Sequence, residues 1–152
     1  LLSLREGFKL QELDDLIKIS EFDGDGYKVT DESQYFKVAL MNYSEKYRME
    51  NIKYLEKHNN SDEVFVILTG RCILFVADGI DRPNKIKAIP MEKGKVYFIK
   101  KGVWHTHVFF ENTKVFIVEN ADTSDKNSQK QPLSLKHKRY IFDLFGFTAN
   151  NN

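Results

Sequence analysis

Between about Tyr27 and Asn120 the chain is a succession of short runs dense in Val, Ile, Phe and Tyr, each closed by turn-forming residues. The runs are Tyr35 to Met41, Arg48 to Lys57, Glu63 to Thr69, Arg71 to Ala77, Ile86 to Ile89, Lys95 to Ile99, Trp104 to Phe110 and Lys114 to Glu119. Asp78-Gly79, Pro83-Asn84, Lys93-Gly94 and Glu111-Asn112 punctuate them. Many short strands at regular spacing indicate a β-sandwich or barrel. The expected fold is therefore mainly β, a closed or nearly closed antiparallel barrel over Tyr35 to Asn120.

Helical spacing is confined to the ends. Leu10, Leu13, Leu16 and Ile17 recur at intervals that predict a short N-terminal helix. Ala121 to Gln131 is polar and reads as a loop, and Pro132-Leu133-Ser134 opens a C-terminal helix with Leu135, Tyr140, Ile141, Leu144 and Phe145 as its apolar face. With 152 residues and no internal repeat, one domain over 1–152 is expected, its barrel core at about 35–120 and a loop and helix at 121–147. Asp23-Gly24-Asp25-Gly26 opens like a calcium-binding loop, but Lys28 and Gln34 stand at its sixth and twelfth positions, so a tight turn is expected instead.

Charge and cysteine usage narrow the function. Lys plus Arg number 23 and Asp plus Glu 22, a balance that provides no drive toward nucleic acid or an anionic membrane. No apolar run is long enough to span a bilayer, and Leu1 to Glu6 lacks the basic and apolar regions of a secretion signal. The single cysteine, Cys72, lies in an apolar strand-like run, so an inert buried thiol and a reducing, cytoplasmic setting are expected. No nucleophile elbow, phosphate-cradling loop or dinucleotide fingerprint occurs.

Two segments carry the chemistry: Glu56-Lys57-His58, followed by Glu63 and Gly70, and Gly94, followed by Gly102 and His105. Their spacing resembles the paired signature motifs of the cupin superfamily. In the first motif His58 stands at the second histidine, four residues before Glu63, and six residues separate Glu63 from Gly70. Glu56 occupies the place of the first histidine. In the second motif Gly94, Gly102 and His105 match, while Lys100 replaces the proline and Phe109 the asparagine. The resemblance implies a cupin-type double-stranded antiparallel β-barrel (jelly roll), with Glu56, His58, Glu63 and His105 as a metal set inside it. It also implies a homodimer, with Trp104 or the Phe-rich C-terminal segment near the contact.

Elementary strand geometry agrees. Residues two apart share a face, so Glu56 and His58 project together, as do His105 and His107. Two carboxylates with two imidazoles suit divalent Zn, Mn, Fe, Ni or Co, and Glu56 in place of a histidine hardens the site and adds charge. Carboxylates buried without a counter-charge are costly, so a cation, a basic partner or a shared proton has to accompany them. Each residue also has a plainer reading: His58 as a surface histidine beside a charged loop, Glu63 as a rim carboxylate, His107 as a core histidine bonded to a backbone carbonyl. Tyr54, Phe65, Phe98 and Phe109 are candidates to line the mouth of a small-molecule pocket.

Because one fold carries many activities, the reaction stays open. The expected function is binding of a divalent metal and a small polar or carboxylate ligand, in a metal-dependent isomerase, lyase or oxygenase. The competing expectations are a non-catalytic small-molecule-binding module and a structural homodimer with a degenerate site.

Overall fold

A computed structural model describes residues 16–149 of the chain, and side chains within its C-terminal helix as far as Phe145. It is mainly β. Ten strands run in order: β1 (Gly26–Glu32), β2 (Phe36–Asn42), β3 (Tyr54–His58), β4 (Glu63–Thr69), β5 (Cys72–Ala77), β6 (Lys87–Pro90), β7 (Tyr97–Ile99), β8 (Trp104–Phe109), β9 (Lys114–Asn120) and β10 (Ser128–Pro132). One α-helix follows, α1 (Leu135–Ala149). The strands make two five-stranded antiparallel sheets, ordered β1-β2-β9-β4-β7 and β10-β3-β8-β5-β6. No strand ladder joins one sheet to the other among the described residues, so the expected closed barrel is here two facing sheets.

Alternation along the strands decides what each face buries. In the first sheet Ala39 and Met41, Phe65 and Ile67, and Val115 and Ile117 point inward. Cys72, Leu74 and Phe109 of the second sheet meet them, and together they form the inter-sheet core. The opposite face of the second sheet carries Leu55, Phe75, Ala77, Trp104 and Val108, and α1 covers it with Ile141. Ser134 starts that helix by accepting the backbone N–H of His137 at 3.1 Å. Cys72 is buried and its thiol is pushed up by burial, which makes it the inert strand residue expected.

Several sequence expectations need correction. Trp104 is fully buried beneath α1, its indole Nε1 donating to the Gly79 carbonyl at 2.9 Å and its face against the Lys57 ammonium at 4.6 Å. It is therefore part of the fold's own interior and not available to a partner subunit. The run from Arg48 begins with a tight turn over Met49–Asn51, and the strand proper starts at Tyr54. The supposed loop 121–131 ends in β10, an edge strand held to β3 by backbone pairing from Ser128↔His58 to Pro132↔Tyr54. Its side chains are polar, so no apolar alternation marks it. The sheets also reach beyond 35–120 at the front, through β1. Leu135 is exposed and not on the apolar face of α1. Leu10 and Leu13 of the expected N-terminal helix lie outside the described residues, and Leu16 and Ile17 are exposed and non-helical. Among the described residues, no helix is long and apolar enough to cross a membrane.

Two motif glycines have a conformational reason. Gly70 has φ +72° and turns β4 into β5, where an added Cβ would sit 2.5 Å from the Thr113 Cα and 2.6 Å from its backbone nitrogen. Gly102 has φ +80°, and its N–H donates to the His58 carbonyl at 2.8 Å, which ties the second motif to the strand bearing the first. Gly70→Ala should therefore lower unfolding free energy by at least about 1–3 kcal/mol, the usual cost of a residue held in such a backbone region. Urea denaturation at constant slope measures this, and unchanged stability would contradict the role given to Gly70.

Candidate metal centre

The inner face is apolar at one end and charged at the other. In the first sheet Lys37 pairs with Glu119 across β2 and β9, and Glu119 pairs with Glu63 across β9 and β4. This row lies two residues beyond Ala39, Ile117 and Phe65, so the same alternation that builds the core delivers these charges to the interior. In the second sheet Glu56 pairs with His105 across β3 and β8, and His58 pairs with Ser128 across β3 and β10. The two charged rows face each other.

All four residues expected from the sequence come together here. Glu63 Oε2 is 3.1 Å from His105 Nε2 and 3.5 Å from His58 Nε2. His58, Glu63 and His105 are buried and Glu56 is half-buried. Ligand atoms of Glu56, His58 and His105 lie within 4.8 Å of one another, and so do those of His58, Glu63 and Glu119. Two donors on one transition-metal ion stand at most about 4.6 Å apart, so small side-chain movements bring either set into coordination range.

The hydrogen bonds on the far side of each imidazole fix its orientation. His105 Nδ1 is 3.1 Å from the Val103 carbonyl, which can only accept, so Nδ1 carries the proton. His58 Nδ1 is 2.7 Å from Ser128 Oγ, and that hydroxyl spends its own proton on the Ser124 carbonyl at 2.7 Å. Ser128 therefore accepts from His58. Both Nε2 atoms are left to face Glu63. Neither approach makes a directed hydrogen bond, and Glu63 Oε2 and His105 Nε2 are buried without a hydrogen-bond partner. A carboxylate oxygen and two imidazole lone pairs do not attract one another, so something positive belongs between them, a proton or a cation.

Without a metal, protons must fill that role. Burial works against an ionised Glu63, but the His105 and His58 imidazoles outweigh it and hold the carboxyl at about 2. Burial also works against a charged His105, and the Glu63 carboxylate reverses that and raises it above its ordinary value. With a divalent ion in place, the imidazoles would bind it as neutral Nε2 donors and Glu63 as the anion.

His107, on the same face of β8, stands apart. It packs between the Tyr47 and Phe109 rings at 4.8 Å from each centroid, and burial with nearby His105 presses it down to about 4. Its Nε2 is buried and makes no hydrogen bond, contrary to the carbonyl contact expected for it. A cavity of about 760 Å³ opens onto the centre and is lined by Tyr27, Tyr47, Tyr54, Phe65, Lys37 and Lys46 among others. Of the expected aromatic lining, Tyr54 and Phe65 are there. Phe109 is in the apolar core and Phe98 is exposed on the outside of β7. Glu119 was not singled out from the sequence. The available signal was its place two residues beyond Ile117 on a strand whose alternate residues are apolar.

No protein-family model matches this chain, and no curated protein does. Solved structures do. The QdtA 3,4-ketoisomerase from Thermoanaerobacterium thermosaccharolyticum is 18% identical, with a TM-score of 0.49 over 60% of this chain, which spans only 63% of QdtA's length. A cupin-2 domain-containing protein from Shewanella frigidimarina is 22% identical with a TM-score of 0.46, covering 77% of this chain and 97% of that one. Pac13 from Streptomyces, a nucleoside dehydratase, gives a TM-score of 0.51 at 8% identity, over 74% of this chain and 83% of its own. The chain has the cupin fold. At these identities the likeness reaches the fold and goes no further.

The opposed effects on His105 give a test on metal-free protein. Removing the Glu63 charge leaves burial dominant, so in Glu63→Gln the His105 imidazole should titrate at lower pH than in the wild type, read by NMR. Stability follows the same signs. The Glu63 contribution is complete above the ordinary carboxyl value of 4.5 and is lost as pH falls toward about 2. The His105 contribution is complete below 6.5 and is lost as pH rises through its raised value. A His105 titration indifferent to Glu63→Gln would contradict the pairing.

Proposed function

We propose that this protein binds a divalent transition metal through His58, His105 and Glu63, with Glu56 beside them, and receives a small polar or carboxylate-bearing ligand in the adjoining cavity. The observation that carries the reading is the pair of Nε2 atoms turned by Nδ1 hydrogen bonds toward one buried carboxylate oxygen with which neither makes a directed hydrogen bond. Metal-bound histidines are held in this way, by a hydrogen bond from the other ring nitrogen. The donor set mixes imidazole nitrogen and carboxylate oxygen, which suits Zn, Mn, Fe, Ni or Co.

When bound, such an ion acts as a Lewis acid on an oxygen of the ligand. The chain's own residues do the rest. Glu56 lines the cavity and is placed to hold or move a proton on the ligand face. Tyr47 and Tyr54 offer flat apolar walls with polar edges, and Lys37 and Lys46 offer charge to an anionic group. Isomerase, lyase and oxygenase chemistry all fit this arrangement. Pac13, which shares the fold, is a nucleoside dehydratase studied with uridine, which supports a small polar ligand without naming one here.

A second reading rests on the His105–Glu63 pair itself. In a metal-free site an imidazolium beside a carboxylate is a proton donor and acceptor 3.1 Å apart, with Glu63 lining the cavity and His105 buried behind it, suited to acid–base catalysis or to simple ligand binding. Elemental analysis of protein purified without chelator separates the two. The metal reading expects near-equimolar divalent metal in the wild type and its loss in His58→Ala. A metal-free wild type that takes up none of Mn, Ni or Zn on dialysis would leave the acid–base reading in its place.

A further inference from the structure

We infer that Glu119, outside both signature motifs, is an additional carboxylate ligand of this centre, oriented for the purpose by Tyr27 and Lys37. The inference rests on the metal-binding reading above and extends it to a second strand of the first sheet, β9. Glu119 is buried, and it pairs directly with Glu63 across the β4–β9 ladder. Its ligand atom falls within 4.8 Å of those of His58 and Glu63.

The asymmetry of its contacts points the same way. The Tyr27 hydroxyl donates to Glu119 Oε1 at 2.5 Å, and the Lys37 ammonium approaches the same Oε1 at 3.6 Å. Lys37 is itself fixed by donating to the Thr123 carbonyl at 2.6 Å. Both outer contacts fall on one oxygen, and Oε2 has no hydrogen bond or ion pair among the described residues. A carboxylate held by one oxygen and free at the other is how a ligand is aimed at a metal by its surroundings. In the same cluster the buried Glu63 Oε2 meets two imidazole Nε2 atoms without a directed hydrogen bond to either, which places the same point of convergence beside Glu119.

Charge gives the class of what fits there. Glu56, Glu63 and Glu119 bring three carboxylates; Lys37 is ion-paired with Glu119, Lys130 stands opposite Glu56 across β3 and β10, and Lys46 lines the same cavity. With the imidazoles neutral, Glu63 has no lysine or arginine ion pair among the described residues, and a divalent cation would supply its counter-charge. A third carboxylate also shifts the set toward oxygen donors and toward ions such as Mn(II) that favour them.

Titration of the full chain with Mn(II), followed by EPR of the free ion, tests this. Wild type should bind, and Glu119→Gln should bind about tenfold or more weakly, the range expected when a metal's supporting carboxylate is lost. Wild-type affinity in a folded Glu119→Gln variant would overturn the role of Glu119 while leaving the metal reading standing, provided Glu63→Gln loses binding. No binding of Mn, Ni or Zn by the wild type would overturn both. If circular dichroism shows Glu119→Gln unfolded, Tyr27→Phe replaces it. That variant keeps the ring and removes the hydrogen bond, the shorter of the two contacts that aim Glu119, so weakened Mn(II) binding supports the inference and unchanged binding overturns it.

Discussion

The structure turns on the burial of like charges at one end of an otherwise apolar interior. Alternation along β2, β4 and β9 produces the core from Ala39, Phe65 and Ile117, and the next inward step on each strand is Lys37, Glu63 and Glu119. The fold cannot bury the first row without bringing the second inside. Ionised carboxylates out of water are costly unless paired. Lys37, His58 and His105 form the ion pairs to the buried carboxylates Glu63 and Glu119. The histidines arrive from the facing sheet, on β3 and β8, and their orientation is set by Ser128 and Val103. Site and fold are thus one problem, the placing of positive charge between two sheets.

Much of this was legible in the chain because it depends on periodicity and on turns. Glu56 and His58 share a face by alternation alone, and Gly70 stands where only a residue tolerant of positive φ can turn β4 into β5. Strands rich in Val, Ile and Phe were visible because β4 and β9 bury one face in the inter-sheet core and β5 buries both of its faces. The paired motifs then linked strands far apart in sequence, which no local pattern does.

What escaped was decided by tertiary context. β10 is polar because it is an edge, joined to β3 through its backbone, so its side chains bear no trace of pairing. Trp104 was read as a contact for a partner because its face of β8 is opposite the site, and the chain itself fills that face with α1. Phe109 continues the inward alternation of His105 and His107, but it lies deeper than the cavity and joins the apolar core. Glu119 lay outside the motifs, and its meaning comes only from standing opposite Glu63 across a ladder of long sequence separation.

The central claim is that the convergence of these side chains exists to hold a divalent ion. Crystals grown with Mn(II), measured for anomalous scattering near the manganese edge, test it most directly. The account predicts one strong peak between β3, β4 and β8, with His58 Nε2, His105 Nε2 and a Glu63 oxygen at about 2.0–2.3 Å from it. A map without that peak, or side chains of Glu56 and His58 turned to bulk solvent, would contradict it.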